Sequence, residues 1–213
     1  MTTFLERVEI MSAFLGPIHY WLYRKIQLQE GLTEAMLSSI PSEEERNTLE
    51  NKLNTTYGIV ERRPLEDVID NGNIHGWLQG QIGIAEKRFA ATVTEILHGD
   101  PTKIEVLKQR AFQLGLHNPL LDSNDAQEIY RALNDVLLEG MPCDHVNEVL
   151  EQSEQRVRWH QTVDLHLPFW DAVGGKIENY YLLRDAFVSG SLSGSRFSFQ
   201  RIDGQFLIEE VQR

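Results

Sequence analysis

The chain has 213 residues, of which 41% are hydrophobic and 24% are charged, and these values are typical of one globular domain with at most a small appendage. The net charge of −12 and the dispersed basic residues exclude the Lys- and Arg-rich surface that nucleic acids and anionic membranes attract. We therefore expect no nucleic-acid or membrane partner. Cys143 is the only cysteine, which excludes an intrachain disulfide and a multi-thiolate zinc site made by this chain alone.

The beginning of the sequence, MTTFLERVEIM, contains acidic residues and no uninterrupted apolar segment. We do not expect it to be a signal peptide for this reason. No segment approaches the roughly 20 apolar residues that a membrane-spanning helix needs. The sequence thus predicts a cytoplasmic protein.

Helical patterns separated by Gly, Pro and Asn residues follow one another through the first two thirds of the chain. An amphipathic helix is predicted over residues 1–15, and Pro17 is well placed to begin a second helix that runs to about Ser39. Ser42 and Glu45 have the spacing of a capping box, so they predict the start of a third helix that ends near Gly58. Further helices are predicted over residues 64–70, 74–98, 101–114 and 126–139.

The last third of the chain changes character. Residues 144–166 are strongly polar and predict a long helix, and residues 168–187 predict another that Gly174-Gly175 interrupts. Residues 189–195 resemble a Gly/Ser linker. After the linker, Asp203-Gly204 lies between two apolar segments and predicts a β-hairpin. Because a lone hairpin is marginal in water, it should lie against the helices or pair with another subunit.

Together these elements predict an all-α helical bundle with an internally duplicated helical unit and a short C-terminal β-hairpin. The predicted bundle covers residues 1–190, with repeat units at about 1–40 and 62–98. The linker and the hairpin tail cover residues 191–213. The edge of the hairpin also predicts a homodimer contact.

The most informative pattern is a segment that occurs twice, as Gly16–Glu30 (GPIHYWLYRKIQLQE) and as Gly72–Glu86 (GNIHGWLQGQIGIAE). Seven of the fifteen aligned positions are identical, and they include a His, a Trp and a Glu. Since His and Trp are rare in this chain, the match is not expected from composition. Internal repetition of this kind indicates two related helical units.

Each copy of the segment places its His and its Glu eleven residues apart, which brings them to within about 20° of one direction on a helix. His19 therefore shares a face with Glu30, and His75 shares one with Glu86. The positions between them are apolar, and buried His and Glu are costly unless they are paired or bound to a metal. Antiparallel helices would pair each His with the Glu of the other copy. Parallel helices, which the single intervening helix favours, would put the two His at one level and the two Glu at another.

Three interpretations of these residues stay open. The first is a metal or cofactor site, because imidazole and carboxylate together suit iron, manganese or zinc. The candidate metal ligands are His19, Glu30, His75, Glu86, His145, Glu148 and His160. The second is a set of buried His–Glu pairs that fix helix register in a non-enzymatic interaction or assembly protein. The third is a duplication without a chemical role. The sequence contains no complete catalytic set, so substrate and reaction stay open.

Overall fold

The computed structural model describes residues 15–120, 122–141 and 144–211. The helix predicted over residues 1–15 lies almost entirely outside the described residues, and so does Cys143. The described chain is mostly helical, with a small four-stranded antiparallel sheet in its C-terminal third. None of the helices in the described ranges combines the length and the apolar character that a membrane crossing requires.

The helices begin and end largely where the sequence predicts. The described residues form α1 (Pro17–Leu37), α2 (Glu43–Tyr57), α3 (Leu65–Val68), α4 (Ile74–Leu97), α5 (Ile104–His117), α6 (Ala126–Val136), α7 (Leu167–Ala172) and α8 (Ile177–Ser191). A short 3₁₀ helix, Pro101–Lys103, leads into α5. The Ser42 hydroxyl accepts the backbone N–H of Glu45 at 3.3 Å, so the predicted cap of α2 is confirmed.

The prediction of a long helix over residues 144–166 is wrong, because this segment forms a β-hairpin. The strands are β1 (Asn147–Gln152), β2 (Arg156–Gln161), β3 (Phe197–Ile202) and β4 (Gln205–Glu210), in the order β1-β2-β4-β3. In β2, Val157 and Trp159 are buried whereas Arg158 is exposed. This alternation has the two-residue period of a strand. The signal is weak in the sequence because only two buried residues show it and most of their neighbours are polar.

The predicted C-terminal hairpin is confirmed, but it is half of a larger sheet. Its strand β4 pairs with β2 of the first hairpin, through pairs such as Trp159 with Phe206 and Val157 with Ile208. The strand partner that a lone hairpin lacks is therefore supplied within the chain. The two hairpins lie on either side of the predicted domain boundary at residue 190.

One face of the sheet covers the helices. Trp159 lies between Tyr130 of α6 and Phe206 of β4, with ring centroids 4.8 and 5.5 Å away. Phe89 of α4 and Trp170 of α7 belong to the same buried cluster. A second cluster joins α1, α3 and α4 through side chains that include Leu22, Ile26, Leu65, Ile74 and Leu78.

Two glycines allow α5 and α8 to touch through their backbones. A Cβ atom on Gly115 would lie 2.1 Å from the carbonyl oxygen of Phe187, and one on Gly190 would lie 2.1 Å from that of Phe112. No side chain fits at either position without moving a helix. This contact fixes the place of α8, which carries two buried residues of the site described below, Tyr180 and Arg184.

A second pair of glycines divides the helix predicted over residues 168–187. Gly174 has a positive φ of 67°, and α7 ends just before it. A Cβ atom on Gly175 would lie 2.5 Å from Oγ1 of Thr94. The break therefore lets α7 approach α4 closely before the chain turns into α8.

Candidate functional site

The structure brings together the two histidines of the repeated segment. The rings of His19 and His75 lie 5.7 Å apart at the N-terminal ends of α1 and α4. Further along, Glu30 of α1 contacts Arg88 of α4. Contacts at both levels require that α1 and α4 run in the same direction, the arrangement predicted from the helical segment 41–57 between them.

His19 has a local role at the beginning of its helix. Its Nδ1 atom accepts the backbone N–H of Gly16 at 2.9 Å, which closes the first turn of α1. Burial and the neighbouring His75 lower the pKa of His19, so the neutral ring is favoured. With Nδ1 accepting a hydrogen bond, the neutral ring carries its proton on Nε2, and neither nitrogen then offers a free lone pair to a metal. In the second copy Asn73 caps α4 instead, and the exposed His75 makes no equivalent bond.

Glu30 and Glu86 are both buried, but their partners are not the repeated histidines. Glu30 is held by Arg88, whose Nε lies 3.0 and 3.1 Å from the two carboxylate oxygens. The other side of this guanidinium donates to Asn54 Oδ1 at 2.6 Å and to the Gly58 carbonyl at 2.9 Å. Burial raises the pKa of Glu30, and Arg88 offsets part of that effect. Glu86 instead faces His166, with 3.1 Å between Oε2 and Nδ1.

The remaining predicted ligands lie near or on the sheet. Glu148 and His160 are cross-strand partners in β1 and β2, with 3.0 Å between Oε2 and Nε2, and this pair is largely exposed. His145 precedes β1 and has a positive φ of 48°, a strained conformation for a residue with a side chain. Within the described residues, no three His, Cys, Asp or Glu side chains converge so that they could hold a metal ion.

A buried chain of charged groups runs through the molecule from Glu86. We call it the His166 network, and its members are Glu86, His166, Glu139 and Arg184. The Nε2 atom of His166 lies 3.5 Å from Oε2 of Glu139, and Arg184 donates to Oε1 of Glu139 at 2.9 Å. Tyr180 stacks on the His166 ring at 3.9 Å, and Gln161 also donates to Glu139 at 2.5 Å. Opposite nitrogens of His166 face the two carboxylates. The possible metal ligands therefore surround the imidazole ring and do not converge on one point.

The network holds two of its members in their charged forms. Burial alone lowers the pKa of His166, but the charge of Glu86 and the hydrogen bonds to Glu139 and Glu86 raise it to about 10. Burial alone raises the pKa of Glu139, but Arg184 and His166 lower it to about 2. At neutral pH His166 is an imidazolium and Glu139 is a carboxylate. An imidazolium with both nitrogens protonated cannot act as a general base, and its charge helps to hold Glu139 in place.

The outer end of the network opens into a small cavity of about 200 Å³, which we call the Lys25 pocket. It is lined by Trp21, Lys25, Tyr130, Asn134, Glu139, Gly140, Met141, His145, Val146 and Asn147. Helix α1 supplies the first two residues, α6 the next two, and the connection into β1 supplies the rest. One candidate of the sequence analysis, His145, lies in this lining.

Lys25 is the unusual member of the pocket. The residue is 5% exposed, and its Nζ atom lies 3.7 Å from the centroid of the Trp21 ring. Asp135 holds that ring by accepting the indole N–H at 2.9 Å. Burial lowers the pKa of Lys25 to about 8, although Glu139 and Asp135 attract the ammonium. Among the described residues Lys25 has no ion pair within 4.0 Å, although buried lysines are normally paired.

Asn147 also lines the pocket. Its Nδ2 atom donates to Asn134 at 3.1 Å, and its Oδ1 atom is buried and accepts no hydrogen bond from the described residues. Because that oxygen is buried, a ligand in the pocket does not reach it. The pocket thus offers a donor in Lys25 and an acceptor in Glu139.

Two larger depressions lie elsewhere on the surface, with volumes of about 840 and 930 Å³. Their charged side chains are exposed and already neutralised in pairs such as Arg156–Glu209, Arg196–Glu210 and Lys52–Glu95. Exposed pairs of this kind contribute little and demand no ligand. The Lys25 pocket is smaller, but Lys25 and Glu139 in its lining are buried, and Lys25 has no ion pair within 4.0 Å among the described residues.

The sequence analysis missed Lys25, Glu139, His166 and Arg184. The repeat gave one usable signal, because Lys25 is replaced by Gln81 in the second copy. A charge that only one copy carries, next to the buried Ile26, marks a place where the two units differ in environment. His166 lies at the end of a segment whose secondary structure was predicted wrongly, and Glu139 lies beyond the end of α6 in residues predicted to be helical, so their proximity could not be inferred.

Comparison with other proteins adds no assignment. The chain matches no family of proteins, and no curated protein or solved structure is significantly similar to it.

Proposed function

We propose that this protein binds a small molecule carrying a carboxylate group, and that the Lys25 pocket is the binding site. The observation that carries the proposal is the buried amine of Lys25, which has no anionic partner within 4.0 Å among the described residues. Because a buried ammonium is costly unless it is paired, a ligand anion would supply the missing partner.

The other groups of the pocket restrict the ligand further. Glu139 is fixed as a carboxylate and repels a second negative group at its side of the pocket. The Glu139 carboxylate is also an acceptor and favours a hydroxyl or amine donor on the ligand. The volume of about 200 Å³ admits only a short molecule. A monocarboxylate of a few carbon atoms with one further polar group fits these conditions.

The support that Glu139 receives also favours a binding role. Arg184, His166 and Gln161 all donate to this one carboxylate. Buried ion pairs contribute little net stability compared with an apolar core, whereas a pre-oriented carboxylate at a pocket wall is what a binding site requires. The proposal accounts for both the buried network and the pocket in which it ends.

The test is calorimetric titration of the purified protein with L-lactate, using acetate and succinate for comparison. Wild type should bind lactate saturably and more tightly than succinate, whose second carboxylate meets Glu139. Lys25→Met should weaken lactate binding at least tenfold, about 1.4 kcal/mol. Lys52→Met is the matched control, because Lys52 is exposed and paired with Glu95. Equal lactate affinity in wild type and Lys25→Met would refute the proposal.

Two more specific predictions from the sequence, the metal or cofactor site and the homodimer contact, remain predictions. For the metal or cofactor site, the rings of His19 and His75 lie 5.7 Å apart, but Nδ1 of His19 accepts the Gly16 N–H and no third ligand joins the pair within the described residues. The homodimer contact through the hairpin is compatible with the sheet order, in which β3 has a partner on one side only among the described strands. The repeated segment continues to indicate a duplicated unit on sequence grounds alone.

A further inference from the structure

We infer that the carboxylate bound in the Lys25 pocket is a short 2-oxo acid, and that Lys25 forms an imine with its keto group. This inference rests on the proposed function and adds a covalent step to it. The step needs a buried amine without an ion-pair partner and a carbonyl beside the group that the amine attracts.

The surroundings of Lys25 meet these requirements. The side chain is 5% exposed and lies against the face of Trp21, so the amine is shielded from water. The charged groups that face it are Glu139, from the connection after α6, and Asp135 of α6, and neither forms an ion pair with it within 4.0 Å. Desolvated lysines of this kind act as nucleophiles towards carbonyl compounds because the neutral amine is accessible near neutral pH.

The lowered pKa of about 8 sets the size of this effect. At pH 7 about one tenth of the Lys25 side chains are neutral, whereas an ordinary lysine is neutral in fewer than about one in a thousand molecules. Lys52, which is exposed, does not share the effect, because the hydrogen bond that it donates to Glu95 raises its pKa. Lys25 should therefore react far faster than Lys52 with the same carbonyl compound.

A 2-oxo acid suits the pocket because its keto carbon is bonded directly to the carboxylate that the ammonium attracts. After the ammonium loses its proton to solvent, the Nζ lone pair attacks the keto carbon and the keto oxygen takes up a proton, which gives a carbinolamine. In this intermediate the nitrogen has given up one proton and the former keto oxygen is a hydroxyl group. Loss of that hydroxyl as water then gives the imine, so the overall change is amine plus ketone to imine plus water.

The experiment is incubation of the full-length protein with pyruvate and sodium cyanoborohydride at pH 7.5, followed by peptide mass spectrometry. The hydride donor reduces an imine to a stable secondary amine. We expect one saturable pyruvate adduct on Lys25, at least tenfold more abundant than on Lys52, and suppressed by excess lactate, which has no keto group. Lys25→Met should carry no adduct above the level of the exposed lysines.

The outcomes separate the inference from the proposed function. If calorimetry shows that pyruvate binds as tightly as lactate but no adduct forms on Lys25, the covalent step is refuted and the binding site stands. If neither acid binds and adducts are spread evenly over the exposed lysines, both proposals fail. An adduct on Lys25 that lactate does not suppress would also refute the inference, because the reaction would then not occur in the carboxylate site.

Discussion

Glu30 and Glu86 occupy the same position in the repeated segment, yet they are buried in two different kinds of charge cluster. Glu30 forms a closed pair with Arg88, whose other donors are taken by Asn54 and Gly58. Glu86 is the inner end of the His166 network, which continues to Glu139 at the Lys25 pocket. Both clusters tie helices together, but only the second reaches a cavity with unpaired groups. The comparison teaches that a repeated residue type does not determine its partner or its role.

The largest expected effects come from removing one cation from each cluster, namely Arg88 beside Glu30 and His166 beside Glu86. Arg88→Met leaves Glu30, and His166→Leu leaves Glu86, as a buried carboxyl group without a cation. Each variant should lose about 3 to 5 kcal/mol of unfolding free energy at pH 7, measured by urea denaturation. If the clusters differ in role as we propose, only His166→Leu should also weaken lactate binding, because it releases Glu139.

The pH dependence of the same two variants provides the control. The pKa of His166 is raised from 6.5 to about 10, so the stability it contributes is full below pH 6.5 and is lost as the pH rises towards 10. The difference between wild type and His166→Leu should therefore shrink over that range. The difference for Arg88→Met should stay constant, because arginine keeps its charge. A constant difference for both variants would contradict the assignment of His166 as a buried imidazolium.

A smaller effect of opposite sign is expected at the pocket. Lys25→Met replaces a buried amine, without an ion-pair partner, by an apolar side chain of similar length, so it should stabilise the protein by about 1 to 3 kcal/mol at pH 7. The pKa of Lys25 falls from 10.5 to about 8 on folding, so the native state loses its proton first and wild type gains stability between pH 8 and 10.5. The advantage of Lys25→Met should disappear over that range. Destabilisation by Lys25→Met would show instead that Lys25 has a structural partner.

The smallest effect is expected at the exposed His–Glu pair of the sheet. Glu148→Gln removes the carboxylate that His160 contacts at 3.0 Å. Because both side chains face solvent, the change in unfolding free energy should be about 0.5 kcal/mol or less. Urea denaturation at low and high salt measures it, and lactate binding should not change. A loss above about 1 kcal/mol would mean that this pair, and not only the buried clusters, organises the protein.

The two repeated histidines show what a sequence pattern predicts about position and what it does not predict about role. The repeat predicts that His19 and His75 lie at one level if α1 and α4 are parallel, and the structure places their rings 5.7 Å apart. Yet α1 begins at Pro17 and α4 at Ile74, so the second helix starts one position later in the repeat. His19 therefore closes a helix turn while His75 is exposed. A shift of one residue at a helix start changes what the same residue type does.

The sheet shows where sequence patterns fail. Residues 144–166 are so polar that only Val157 and Trp159 mark the buried face of β2. The polar residues of this segment satisfy a helical prediction as well as a strand prediction, and the choice depends on pairing with β4, which is about 50 residues later in the chain. The hairpin at Asp203-Gly204 was predictable because its turn is local.

The sequence by itself determined the approximate positions of the helices between Pro17 and Val136, the cap at Ser42 and the C-terminal hairpin, because all of these depend on neighbours within a few residues. Only the tertiary structure decided which charges meet. Glu86 and His166 are 80 residues apart in sequence, and Arg184 reaches Glu139 from α8, a helix that two glycines let pack closely against α5. The pairing of buried charges is set by long-range packing and by the need to compensate desolvation, and neither leaves a local pattern in the chain.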